Sequence, residues 1–123
     1  MKYVILIYRN PQSRQVWESF MGPDRVRGLK AYARLNEELS ASGELVVTQA
    51  LADSALGKRV SVRDGRAMTT DGPFAEVKEE LAGFYLVECD TPERAIEIAA
   101  RIPEAALGLV EVRPTMIYSE MEV

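Results

Sequence analysis

One stretch of the chain combines charge, a tight turn and an aromatic ring: Thr70-Asp71-Gly72-Pro73-Phe74-Ala75-Glu76-Val77-Lys78-Glu79-Glu80. Asp71 is its leading candidate for a functional group. A turn at a strand end is a usual place for a reacting side chain on a rigid scaffold. Partial burial beside Phe74 would raise its pKa and make it a general acid or base. The same carboxylate suits a purely architectural task equally well: an Asp bonds to the backbone two residues on, Gly72 tolerates unusual φ, and Pro73 fixes the exit. Glu76 and Lys78 share one side of an extended segment but not of a helical turn. They read as ligand contacts or, more plainly, as an ion pair that pins the loop. Further along, Arg113 has the planar fork to clamp a carboxylate or phosphate bidentately, or to pair with Glu111. Tyr8 ends a strand with a hydroxyl that either meets a ligand or marks the edge of the core. Trp17 either lids a pocket or staples its own segment to the body.

What is missing narrows the chemistry further. There is no histidine, so Ser-His-Asp and Cys-His nucleophilic sites and histidine-ligated zinc or haem are excluded. A single cysteine, Cys89, excludes thiolate metal clusters and an internal disulfide framework; it suits a reducing cytoplasm and reads as a small inert hydrophobe. Acid–base work near neutral pH would fall to Asp, Glu, Tyr, Lys or water. No metal and no cofactor is expected. The 15 basic and 19 acidic residues are scattered, so the concentrated basic surface that nucleic-acid binding needs is absent. No apolar run has the length of a membrane span.

These residues must be positioned by elements that the punctuation of the sequence makes visible. The 123 residues hold one core and one domain, 1–123. Lys2–Tyr8 is a strand with apolar side chains on both faces. Asn10–Gly22 reads as a loop. Gly22, Pro23 and Asp24 then announce a helix whose apolar face is Val26, Leu29, Tyr32, Ala33 and Leu39, ended by Gly43. Glu44–Leu51 is a second strand. Arg59–Arg63 and Arg66–Thr70 flank Asp64-Gly65, the preferred two-residue hairpin turn. Ala82–Cys89 is a third two-sided strand. Thr91 and Pro92 start a helix that Pro103 stops, and Leu109–Arg113 is the last strand.

Setting the hairpin aside leaves strand-helix-strand twice. The expected fold class is therefore α+β: a ferredoxin-like split βαβ with an inserted β-hairpin, an antiparallel sheet with helices on one face. Helices cover only one sheet face, yet Tyr3–Tyr8 and Phe84–Val87 carry apolar groups toward both. The exposed face calls for a two-fold partner, and the expectation is a homodimer, α/β-barrel-like, with the sheets face to face.

The run Asp71-Gly72-Pro73-Phe74 followed by Glu76 and Lys78-Glu79 resembles the signature of the DGPF group of YCII-related proteins. The resemblance extends to Met1–Tyr8, to Gly83-Phe84-Tyr85, to Ala99-Ala100-Arg101-Ile102-Pro103 and to Val110–Pro114. It implies a ferredoxin-like fold, usually dimeric. YCII members similar to small enzymes use a His-Asp pair, which a chain without histidine cannot build. DGPF members are often encoded beside extracytoplasmic-function sigma factors, which implies an accessory or sensing role. Three functions follow as expectations: a dimeric small-molecule-binding or regulatory protein with a cleft near Asp71; a cofactor-independent lyase, isomerase or oxygenase using Asp71 as acid or base; or an interaction module for a sigma factor or a biosynthetic enzyme. Catalysis would rest on Asp71, and ligand contacts on Tyr8, Phe74, Glu76, Lys78 and Arg113.

Overall fold

The structure is a computed structural model that describes residues 1–19, 23–72 and 78–120. Four strands form one antiparallel sheet in the order β2-β5-β1-β6: β1 Lys2–Arg9, β2 Leu45–Ala50, β5 Glu80–Glu88 and β6 Val110–Pro114. The helices α1 Pro11–Ser19, α2 Pro23–Ser42 and α3 Pro92–Ala100 lie on one face. The strands β3 Lys58–Arg63 and β4 Arg66–Asp71 pair with one another as a separate hairpin. This is the expected α+β arrangement, with strand boundaries within two residues of the sequence reading. Among the described residues no helix is long and apolar enough to cross a membrane.

Period-two alternation sets the register. Ile5 lies opposite Tyr85 on one side and Val112 on the other, all on the helix-covered face, whereas Val4–Leu86 and Leu6–Phe84 pair on the open face. The core joins Tyr3, Ile5, Ile7, Tyr85 and Val87 of the sheet to Leu35 and Leu39 of α2 and to Ala95, Ile98 and Ala99 of α3. Full burial of each large aliphatic side chain contributes about 1.5–3 kcal/mol. The α3 triad is spaced i, i+3, i+4 and so forms one stripe, while Thr91 caps the helix by accepting from the Arg94 amide at 3.1 Å. Asp64 and Gly65 both have positive φ, +53° and +74°, as the two-residue turn requires.

Two expectations are corrected. Asn10–Gly22 is not a loop: its first part is the helix α1, and Gly22 lies outside the described residues. The Asn10 side chain accepts from the Ser13 amide at 2.7 Å and the Ser13 hydroxyl accepts from the Asn10 amide at 2.9 Å, a reciprocal cap, with Pro11 in the first helical position. The buried face of α2 is also displaced. Leu35 and Leu39 are almost fully buried, Tyr32 is half-buried, and Val26, Leu29 and Ala33 are exposed. The first half of α2 stands over a cavity rather than on the sheet, and Leu29 lines that cavity.

Candidate functional site

The cavity, about 700 Å³, lies between the helices and the β2-β5-β1 part of the sheet. A register shift interrupts the β1–β5 ladder at Ile7/Tyr8, and β5 and β2 approach closely at Gly83. A Cβ on Gly83 would sit 2.8 Å from the Gln49 carbonyl oxygen, so only glycine fits without moving backbone. Ile7, Leu29, Leu51 and Ala82 give the cavity an apolar wall. Among the polar side chains that line it, Tyr32 and Asn36, one helical turn apart on α2, Tyr85 on β5 and Glu104 on the short 3-10 turn Pro103–Leu107 come from three separate segments.

Glu104 is only 8% exposed. A buried carboxylate is costly unless it is hydrogen-bonded, and here the Tyr32 hydroxyl donates to its Oε2. Burial and the neighbouring Glu104 carboxylate together push the Tyr32 phenol far above its ordinary value, so it stays protonated and the hydrogen bond persists. The Tyr85 hydroxyl donates to Asn36 Oδ1, and burial raises this phenol as well. At the opposite end, Arg14 of α1 bonds Asp53 at 2.5 Å and Glu80 at 3.5 Å, and Arg9 donates to the Leu51 carbonyl at 3.1 Å. The arrangement presents a hydrogen-bonding wall at one end and a matched ionic cluster at the other.

The sequence-predicted residues fall in three places. Lys78 lines a second groove with Glu79, Glu80 and the start of α1, and this groove shares Arg9 and Arg14 with the main cavity. Tyr8 lines the main cavity, yet its hydroxyl donates to Glu111 Oε1 at 3.0 Å. Arg113 forks onto the same Glu111 at 2.7 and 3.3 Å, which holds the Glu111 carboxyl below its usual range. Phe74 and Glu76 lie outside the described residues, as does the Trp17 side chain. Asp71 lines neither cavity. Its side chain is 83% exposed and pairs with Lys58 at 2.5 Å, so the partial burial that an acid–base role asks of it is not met at this carboxylate.

Tyr32, Asn36, Tyr85 and Glu104, which line the cavity, are not among the site residues that the sequence suggests. Two weak signals point to them. Asn36 interrupts the apolar face between Leu35 and Leu39, one turn from Tyr32. Glu104 is a lone charge between Pro103 and Ala105-Ala106-Leu107.

Comparison with known proteins agrees with this architecture. A solved structure of 5-chloro-2-hydroxyhydroquinone dehydrochlorinase from Burkholderia phenoliruptrix, in complex with 2,5-dihydroxybenzoquinone, superposes with a TM-score of 0.54. At 18% identity it covers 99% of this chain and 100% of its own, and it speaks to the fold. An uncharacterized protein of Rhizobium meliloti (strain 1021) is 30% identical over 125 residues, covering 100% of this chain and 98% of that protein. The model of the YCII-related domain matches residues 1–119, and the chain belongs to that family.

Proposed function

We propose that this protein binds a small organic molecule in the helix-side cavity and works as a homodimer paired through the open face of its sheet. The observation that carries the binding reading is Glu104, a carboxylate nine-tenths buried in a largely apolar cavity of ligand size. Soluble proteins seldom keep a carboxylate in such a wall unless its cost is offset by function or by partners. The dimer reading rests on Val4, Leu6, Phe84 and Leu86, which are only half-buried, with Val47 beside Leu86 at 37% exposed. Face-to-face packing that buries about 1,200 Å² or more would cover them.

A second reading, a cofactor-independent acid–base enzyme, draws on the Glu104–Tyr32 pair rather than on Asp71. Without histidine, a buried carboxylate that accepts from a phenol is a candidate proton acceptor in the cavity. The similar dehydrochlorinase, whose structure holds a hydroxylated quinone, lends this reading support by analogy of fold.

A fragment screen followed by amide chemical shifts tests the binding reading. Hits should perturb Thr48, Tyr85 and Glu104, and Leu29→Trp, a substitution at an exposed helix position on the cavity rim, should weaken them by about tenfold. Hits that map elsewhere and are indifferent to Leu29→Trp would overturn it.

A further inference from the structure

The hydrogen-bond inventory of the cavity is lopsided. Tyr32 has one O–H, and it is committed to Glu104 Oε2; Tyr85 has one, and it is committed to Asn36 Oδ1. Among these four side chains, what remains for a ligand is lone pairs on the two phenolic oxygens, that of Tyr85 shared with the neighbouring Thr48, and Glu104 Oε1, to which no other described residue donates, against the Asn36 amide as donor; the Thr48 and Ser13 hydroxyls already donate to the Phe84 and Asn10 carbonyls. The charges lean the same way. Among the described residues Glu104 forms no salt bridge, while of the two arginines at the other end Arg14 is matched by Asp53 and Glu80 and Arg9 is turned onto the Leu51 carbonyl.

An acceptor-rich wall with an unneutralised carboxylate selects by what it repels as well as by what it attracts. A hydroxyl or N–H on the ligand completes Oε1 with a charge-assisted hydrogen bond. A ligand carboxylate in the same place would set two anions against one another in a poorly solvated site, and an ether or a bare hydrocarbon would leave Oε1 without water and without a donor.

We propose that the cavity takes an uncharged, ring-sized molecule bearing hydroxyl or N–H donors, seated with a donor on Glu104 Oε1, and that it rejects organic anions. The inference rests on the binding reading above and goes beyond it in naming the ligand class and the residue that sets it.

The test uses three probes of one shape: 2-naphthol, 2-methoxynaphthalene and 2-naphthoate, titrated against the wild-type protein with amide shifts at Thr48, Tyr85 and Glu104 as the readout. The naphthol should bind at least about tenfold more tightly than the methyl ether or the naphthoate. In Glu104→Gln the naphthoate should gain affinity relative to the naphthol, narrowing that ratio several-fold, because the repelling charge is gone while the shape is kept. The wild-type comparison stands by itself if the variant does not fold. An ether or naphthoate that binds as well as the naphthol overturns the ligand class. Failure of all three probes while other fragments still shift the cavity amides also overturns the class and leaves the binding reading standing. A protein in which no fragment reaches the cavity overturns both.

Discussion

Glu44 immediately precedes β2, Arg94 lies in the first turn of α3, and two parallel hydrogen bonds of 2.8 Å join them. They tie the edge strand that carries Thr48 into the cavity wall to a helix of the core. The guanidinium draws the Glu44 carboxyl from 4.5 down to about 2, with the Ser42 hydroxyl adding to the effect and burial opposing it. A folded-state pKa below the unfolded one means that the pair's contribution is complete above pH 4.5 and is lost as pH falls toward 2. The whole difference corresponds to about 3 kcal/mol. Arg94 is 38% exposed, however, and solvent screening lowers the expected value to about 1–1.5 kcal/mol. Urea unfolding of the wild type and of Glu44→Gln, followed by circular dichroism, gives the check. The Gln variant should lose that amount at pH 7, nearly the same at pH 5, and less than half of it at pH 3. Combined with Arg94→Met, it should show a coupling of about 1 kcal/mol at pH 7. A penalty equal at pH 3 and pH 7 would refute the argument, because the loss would then come from packing rather than from charge.

Two further outcomes are expected. Gly83→Ala should lower stability by about 1–3 kcal/mol in the same unfolding assay, because the new Cβ meets the Gln49 and Ala50 backbone at 2.8 and 3.3 Å and the strands must part; a change under about 0.5 kcal/mol would show that β2 yields freely. Asp71→Asn should change stability by no more than about 0.5 kcal/mol and leave binding in the cavity unaltered, since its ion pair with Lys58 is well solvated. Loss of binding in a stable Asn variant would return the site to the Asp71 turn.

The elements were legible where local chemistry decides them. Asp64-Gly65 needs two positive φ values, Thr91-Pro92 is a cap followed by a first-turn proline, and two-sided strands show themselves by composition. The helix α1 is harder to see because its segment is short and polar, although the Asn10-x-x-Ser13 spacing contains its reciprocal cap. The face of α2 is hidden for a different reason: which apolar stripe is buried depends on where the helix overhangs the sheet, a tertiary matter that periodicity alone does not carry. The cavity was the least legible part. Tyr32, Tyr85 and Glu104 are far apart in the chain, and no spacing rule joins them before the sheet and the Pro103–Leu107 turn are in place. The run at Asp71 is conspicuous because it is contiguous, yet its described start lies in solvent and its end, Lys78–Glu80, lines the adjoining groove and meets the main cavity only through the Glu80–Arg14 pair.

The β3–β4 hairpin carries a consequence for how the molecule opens. Its two strands form a ladder of their own, apart from the main sheet; the Gly72 amide closes its base on the Gly57 carbonyl at 2.9 Å, and Val60, Val62 and Met68 are 67%, 71% and 51% exposed. Two strands without a covered face are marginal in water. Amides of this arm therefore exchange with solvent through small local openings, while those of β1 and β5, fixed on both sides, exchange only when the whole domain unfolds. The expected behaviour has two tiers of cooperativity, a core that opens as a unit and an arm whose amides open locally at a lower cost.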